Sequence, residues 1–326
     1  MKEIQFNSSF ADSINQFLQL RAATLKERTI SVNKRQLKSF DDYLSANHAL
    51  TITKDIVDGW IAMLNGSDST IIHAVCTIRM YILFLVDSGI EAYVPDLPKQ
   101  HDDYIPYIFN EDEIIRIIEA ADSYPARWNN SIPYMRAMLP VIIRLALCCG
   151  LRLSEAVCLK RKDFNPDSGI IIIKNGKNDK PRIVPMHKTL SEILVKYCLS
   201  VGILDSPDAW LFPGKNTSSH VEGEKIHFRF ANILKRSGIT VSKRKYERGP
   251  CFHCLRHTFV LSAFKQLEAM GISTDNSVPY LSIYLGHNNL KGTERYMKFT
   301  PDMFIDEFQK FSAFSNGIFP EVCYED

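Results

Sequence analysis

Hydrophobic positions in the first ninety residues recur at spacings of three and four, a pattern that predicts amphipathic helices. We expect four helices between Ser8 and Gly89. The third is predicted over residues 53–64 with Thr53 as its N-cap, and the fourth over residues 69–87, ending at Gly89. The clearest repeats are Phe10, Ile14, Phe17 and Leu18, then Leu37, Phe40, Tyr43 and Leu44.

Prolines and polar residues interrupt this pattern between residues 91 and 106, which predicts an interdomain linker with a boundary near residue 100. Beyond it, Asn110 and the acidic residues that follow predict the start of a helix. A further apolar helix is predicted over residues 132–149, kinked at Pro140 and ending at Gly150.

The hydrophobic period changes between residues 168 and 186. The β-branched run Ile170–Ile173 and the segment Arg182–Pro185 flank a polar stretch, which predicts a β-hairpin. Helical periodicity returns beyond Thr189. The predicted fold class is therefore mainly α with a small β-sheet or hairpin (α+β).

Composition narrows the class of protein. A chain of 326 residues predicts two domains, and 45% hydrophobic with 23% charged residues excludes a disordered tail or a coiled-coil rod. The apolar stretch near residues 138–151 contains Arg144 and is shorter than the ~20 residues of a membrane span. We expect a cytoplasmic protein with no membrane association, whose eight scattered cysteines are reduced.

A net charge of +2 neither requires nor excludes a nucleic-acid partner, so the local distribution of charge is the more informative feature. Two segments are strongly basic, and each is either a phosphate-binding surface or an ordinary solvated face. They contain Arg21, Lys26, Arg28, Lys34, Arg35 and Lys38 in the first, and Lys243, Arg244, Lys245 and Arg248 in the second.

Four further segments carry candidate chemistry. Arg152 follows the predicted helix end at Gly150, and Glu155 lies three residues on, so the pair is either structural or a carboxylate-oriented phosphate clamp. Three lysines crowd the hairpin turn. They are Lys174, Lys177 and Lys180.

The other two segments are near the C-terminus. His253 and Arg256 are three residues apart at the start of a predicted helix, which places them on one face. His287 follows a glycine, and Tyr296 lies nine residues later.

A metal site is the alternative way to neutralise phosphate charge. Cys251 and Cys254 form a Cys-x-x-Cys motif that could bind zinc with His257, but no second Cys or His pair lies at finger-like spacing. The sequence also lacks a cluster of carboxylates. We therefore expect no metal and no cofactor.

Together and in this order, the four segments resemble the tyrosine recombinase (phage integrase) family, which includes Xer, Cre and lambda-type enzymes. Gly-Leu-Arg-x-Ser-Glu at Arg152 resembles the first arginine box, the hairpin resembles the lysine segment, and His253-x-x-Arg256-His257 the second box. Leu-Gly-His at His287 and the position of Tyr296 complete the pattern.

The resemblance implies a domain plan and a reaction. Residues 1–95 would form a helical core-binding domain, 96–106 the linker, 107–300 the catalytic domain and 301–326 a tail exchanged between protomers or folded on its own domain. Tyr296 would attack a DNA phosphate that Arg152, Arg256, His253 and His287 hold, while Lys177 protonates the leaving 5′-oxygen, unless Lys174 or Lys180 replaces it. Glu155 would orient Arg152.

Strand exchange through a 3′-phosphotyrosine and a Holliday junction would follow. The implied partners are double-stranded core sites with inverted repeats, a homo-tetramer on synapsed DNA and accessory DNA-bending proteins, with nucleoid association. The alternatives are a type IB topoisomerase and a catalytically silent DNA-binding regulator. The chain departs from compact Xer-like relatives between Gln266 and Tyr280, where we expect a longer loop.

Overall fold

The computed structural model describes residues 4–99, 106–125, 132, 134–174, 181–239 and 249–286. The chain divides into two compact units, residues 1–104 and 105–326. Each has its own hydrophobic core.

The first unit contains the four predicted helices. They are α1 (Ala11–Ala22), α2 (Glu27–Ala46), α3 (Lys54–Met63) and α4 (Asp68–Asp87). Thr53 caps α3 as expected, whereas α4 begins one residue earlier than predicted because the Ser67 hydroxyl accepts the N–H of Thr70. In the core, the rings of Phe40 and Trp60 pack edge to face with centroids 5.2 Å apart.

Helix α4 is long and apolar enough to cross a membrane by length and composition alone. A core helix meets the same criteria, and the structure places seven of its residues in the interior of the first unit. They are Ala74, Val75, Thr77, Ile78, Tyr81, Ile82 and Leu85. Packing in this helical core accounts for the apolar character of α4.

The second unit is helical around a small sheet, which confirms the predicted fold class. Its helices are α5 (Glu111–Asp122), α6 (Met135–Cys149), α7 (Leu153–Val157), α8 (Lys188–Ser200), α9 (Gly223–Arg236), α10 (Phe252–Ala269) and α11 (Thr274–Leu285). The strands β1 (Phe164–Asn165), β2 (Ile170–Ile173) and β3 (Arg182–Pro185) form an antiparallel sheet in that order, with Ile171 opposite Val184.

Helix α6 is the centre of this unit, with ten buried residues in fifteen. It begins three residues later than predicted, contains Pro140 and ends at Gly150. Asn110 caps α5 in a capping box with Glu113, as the acidic start of this segment suggested.

Two further features differ from the sequence predictions. Strand β1 was not predicted, because two residues are too few to show a period of two. The segment over residues 266–280 is not a single loop, since α10 extends to Ala269 and α11 begins at Thr274 with Pro279 inside it, and its greater length relative to compact Xer-like enzymes stays a prediction. Four residues connect the two helices.

Candidate active site

The Glu155 carboxylate lies at the centre of an arginine cluster. Its side chain is 1% exposed and its oxygens accept hydrogen bonds from Arg152 Nη1 at 2.8 Å and from Arg182 Nη1 and Nη2 at 2.9 and 2.7 Å. The backbone N–H of Arg152 donates to Oε2 at 2.9 Å. Arg256 Nη1 lies 3.9 Å from the same oxygen. One buried carboxylate therefore faces three guanidinium groups.

The arginine cluster keeps Glu155 ionised. Burial of the carboxylate favours its neutral form, but the hydrogen bonds and charge of Arg182, followed by the hydrogen bonds from Arg152, outweigh burial and lower the pKa of Glu155 to about 2. A negative carboxylate at neutral pH offsets part of the repulsion between the arginines. The charge of Glu155 thus helps to keep them close together.

Arg256 comes from the first turns of α10 and is almost completely buried. Its Nη1 donates to the carbonyl of Gly150 at 2.5 Å and its Nη2 to the carbonyl of Leu285 at 2.9 Å. Arg152 Nη1 also donates to the Leu285 carbonyl, at 3.2 Å. The C-terminal end of α11 therefore joins the two arginines that the sequence singled out.

Two left-handed glycines allow the chain to reach this geometry. Gly150 has φ +60°, and a Cβ there would lie 2.4 Å from the ring of Phe259. Gly286 has φ +64°, and its Cβ would lie 3.1 Å from Arg182 Nη1. Only glycine combines the required turn with the close approach of these side chains.

His253 and Arg256 share the start of α10 but lie at different depths. His253 is exposed, whereas Arg256 is 1% exposed. The ring of His253 packs edge to face on buried His257, with centroids 4.6 Å apart. His253 is thus at the surface while Arg256 is held in the interior.

The lysine candidates are only partly described. Lys174 directly follows β2, and its Nζ lies 2.6 Å from Asp163 Oδ1, in an ion pair with a largely buried carboxylate. Lys177 and Lys180 lie outside the described residues, as do His287, Tyr296 and the tail from residue 301. Of the proposed site, the structure therefore brings together Arg152, Glu155 and Arg256.

Arg182 and a basic cleft are the features that sequence reasoning missed. The cleft has a volume of about 280 Å³ beside Glu155 and Lys174, and is also lined by Lys160, Lys162 and Trp210. Lys160 Nζ lies 5.3 Å from the centre of the Trp210 ring. The alternation of inward and outward side chains along β3 was a signal that Arg182 faces inward. Its carboxylate partner, Glu155, belongs to another element, α7, so the sequence of the hairpin did not reveal the contact.

The basic segment of the first unit is a mixed surface. Lys26, Arg28, Lys34 and Arg35 are exposed. Lys38 is half-buried and contacts Asp42 at 2.6 Å and Asp41 at 3.4 Å, and Arg21 packs over the ring of Phe17. Arg21 and Lys38 therefore both make side-chain contacts within the first unit. The second basic segment, residues 243–248, lies outside the described residues.

In the described ranges, no group of three or more His, Cys, Asp and Glu side chains is placed to hold a metal ion. Cys251 and Cys254 of the zinc alternative have sulfurs 3.7 Å apart. The observed centre is instead a set of guanidinium donors, which suits an anionic, phosphate-like ligand.

Comparisons with known proteins agree with this chemistry. Residues 108–302 match the profile of the Phage integrase family. The tyrosine recombinase XerD of Rickettsia bellii is 28% identical over 270 residues, which cover 76% of this chain and 83% of XerD.

Two solved structures share the fold. The XerH site-specific recombinase, solved bound to its difH substrate, has a TM-score of 0.68 at 18% identity, covering 94% of this chain and 97% of XerH. A lambda integrase dimer, solved bound to a COC′ core site, has a TM-score of 0.67 at 17% identity, covering 90% and 77%.

Proposed function

The chain belongs to the phage integrase family of tyrosine-type site-specific DNA recombinases, and we propose that Tyr296 is the nucleophile with which it cuts and rejoins DNA. Members of this family exchange strands through a Holliday junction. The observation that carries the proposal is the pair Arg152 and Arg256, which donate to one carbonyl and face one buried carboxylate.

The arginine pair supplies the charge that the reaction needs. Attack on a phosphodiester concentrates negative charge on the non-bridging oxygens, and fixed donors stabilise that charge without reorganising. Arg152 and Arg256 would bind these oxygens, with His287 as a third donor and His253 as either a donor or a base. Their fixed positions favour the transition state over the ground state.

The bonds balance without an external energy source. The Tyr296 oxygen forms a bond to phosphorus as the bond to the 5′-oxygen breaks, which leaves a 3′-phosphotyrosine and a free 5′-hydroxyl. Lys177 is our proposed donor of the proton to that oxygen. The ion pair between Lys174 and Asp163 argues against Lys174 in this role. Attack of another 5′-hydroxyl on the phosphotyrosine rejoins the strands.

Trapping on nicked DNA tests the nucleophile. Duplex DNA nicked next to the cleavage point loses the leaving strand, so the wild-type protein should accumulate as a covalent adduct. Tyr296→Phe should form none and still bind the same DNA within a few-fold, because its phosphate contacts remain. The matched variant Lys177→Ala keeps the nucleophile and should form adducts more slowly. Adducts of Tyr296→Phe would refute the assignment.

The partner of this chain is double-stranded DNA. The arrangement of the DNA sites that it binds is a separate part of the proposal. We infer core sites with inverted repeats, bound by the two basic segments, with accessory DNA-bending proteins as an optional addition. A recombinase must hold two duplexes at once, so closed cyclic assembly of four protomers is the simplest arrangement.

The tail from residue 301 is the proposed link between protomers. Its aromatic residues, including Phe304, Phe308 and Phe311, recur at helical spacing and would bury apolar surface on a neighbour. Truncation after Thr300 should leave binding to one half-site intact and abolish synaptic complexes in native gels. A truncated protein that is insoluble or fails to bind a half-site would show that the tail belongs to its own core.

A further inference from the structure

A Cys-x-x-Cys motif at the start of α10 has no role in the DNA chemistry. Cys251 directly precedes the helix and is exposed, whereas Cys254 is fully buried. Their Sγ atoms are 3.7 Å apart, and the N–H of Cys251 donates to Cys254 Sγ at 3.3 Å. An accessible thiol and an inaccessible one therefore lie in contact.

The backbone between the two cysteines is compatible with a disulfide. Residues three apart on a helix have Cβ atoms about 5–6 Å apart, whereas a disulfide holds them at about 3.5–4.5 Å, so the bond requires this turn to close by about 1–2 Å. Bond formation would bring the sulfurs from 3.7 Å to about 2.05 Å. A small adjustment of the first turn of α10 would be enough.

The surroundings also distinguish the two thiols. The hydrogen bond from the Cys254 thiol lowers the pKa of Cys251, and the backbone N–H groups of His253 and Cys254 act in the same direction. The same contact and burial raise the pKa of Cys254. Thiolate character and exposure therefore coincide at Cys251, which is the pattern of an attacking cysteine beside a resolving one.

We propose that Cys251 and Cys254 form a reversible disulfide, by exchange with a small disulfide of the glutathione type, and that this disulfide slows DNA cleavage. The Cys251 thiolate attacks one sulfur of the small disulfide and expels a thiolate, which takes up a proton. The Cys254 sulfur then attacks Cys251 Sγ, loses its proton and expels the second thiolate. The two cysteines are oxidised and the small disulfide is reduced to two thiols.

The link to cleavage follows from what lies between and beside the cysteines. His253 is enclosed by the motif, and Arg256 is two residues beyond it. Closing the ring shifts the turn that carries His253 and its contact with His257. Displacement of a reacting group by about 1 Å can cost about 100-fold in rate. This effect rests on the proposed function, whereas the disulfide itself does not.

Peptide mapping of the full chain tests the disulfide directly. Trypsin cleavage after Arg248 and Arg256 releases residues 249–256, in which Cys251 and Cys254 are the two cysteines. After incubation with oxidised glutathione and alkylation, we expect this peptide without alkyl groups and two hydrogens lighter. A doubly alkylated peptide under these conditions would overturn the proposal.

Adduct formation on nicked DNA tests the consequence. The wild-type rate should fall by about ten-fold or more in oxidised glutathione and recover on reduction. Cys251→Ser should keep its rate in both buffers, and Cys254→Ala serves in its place if that variant does not fold. Cys148→Ser, which alters an exposed cysteine of α6, is the matched control and should respond as the wild type does.

Two results would contradict the regulatory role. One is equal slowing of Cys251→Ser and the wild type, and the other is a formed disulfide with an unchanged rate. A wild-type protein that forms no adduct even in reducing buffer would instead contradict the proposed function. The lighter peptide would still report the disulfide in that case, so the two failures are distinguishable.

Discussion

Arg182 is the residue whose importance is clearest from the contacts around Glu155. It forms two hydrogen bonds with this carboxylate and lies against Gly286 at the end of α11, so it connects the hairpin to both neighbouring turns. It is 10% exposed and forms its bidentate contact within the protein. We therefore propose that Arg182 positions Arg152 and Arg256.

Substitution of Arg182 tests that role. Arg182→Met should slow adduct formation by about 10- to 100-fold while DNA affinity changes little, because the arginines lose their alignment. The pKa of Glu155 should rise from about 2 when the Arg182 charge is removed, so the acid limb of the rate profile should move to higher pH. Adduct formation on nicked DNA, quenched at fixed times in buffers from acid to neutral pH, measures both effects.

The matched variant Arg182→Lys keeps the charge but not the planar fork. It should therefore restore the pH profile more fully than the rate. A purely structural role for Arg182 would give a different result. Both variants would then lower the rate and the DNA affinity only as far as they lower the fraction of folded protein, and the pH profile would not shift.

Among the elements, the turn between α6 and α7 sets the position of Arg152. Gly150 ends α6 in the left-handed region and its carbonyl accepts from Arg256. The ring of Phe259 from α10 closes the space beside it. Gly150 therefore contributes both to the packing of α10 against this turn and to the positions of the arginines.

Gly150→Ala should destabilise the second unit by about 3 kcal/mol, since left-handed strain of about 1–2 kcal/mol adds to overpacking against Phe259. Gly202→Ala is the matched control, because Gly202 has φ +70° and open space where the Cβ would lie. It should cost only the strain, about 1–2 kcal/mol. Urea unfolding of both variants measures the difference. Equal losses would mean that Phe259 moves aside without penalty.

For the whole molecule, the question is how the first unit contributes to DNA binding. Lys34 and Arg35 are exposed on α2, next to buried Asn33 and Leu37, which face the core. An exposed basic face binds phosphates by releasing counterions, so its contribution depends on salt. The proposal of a DNA-binding face on α2 therefore predicts a measurable salt effect.

Joint replacement of Lys34 and Arg35 by alanine should weaken binding to all DNA sequences similarly. If both contact phosphates, the slope of log affinity against log salt should become shallower by about 2. Lys54→Ala, an exposed lysine at the start of α3, is the matched control and should leave the slope unchanged. Fluorescence anisotropy over a salt series measures the slope. An unchanged slope in the double variant would mean that this face is simply solvated.

Much of the architecture could be predicted from sequence because its determinants are local. Caps at Thr53 and Asn110, the glycine stop at Gly150 and the β-branched run in β2 each act within a few residues. The short strand β1 and the extent of α10 were not predicted, because pairing and packing with distant segments decide them.

The same division holds for the site. The sequence by itself determined the family, the order of its motifs and the pairing of Arg152 with Glu155, since three residues are one helical turn. The tertiary structure alone decided that Arg182 shares that carboxylate and that Leu285, at the end of α11, joins Arg152 to Arg256. These contacts join residues up to 133 positions apart. Spacing along the sequence does not reveal contacts between residues this far apart. The contacts form because a carboxylate buried in the protein must be paired with cationic side chains.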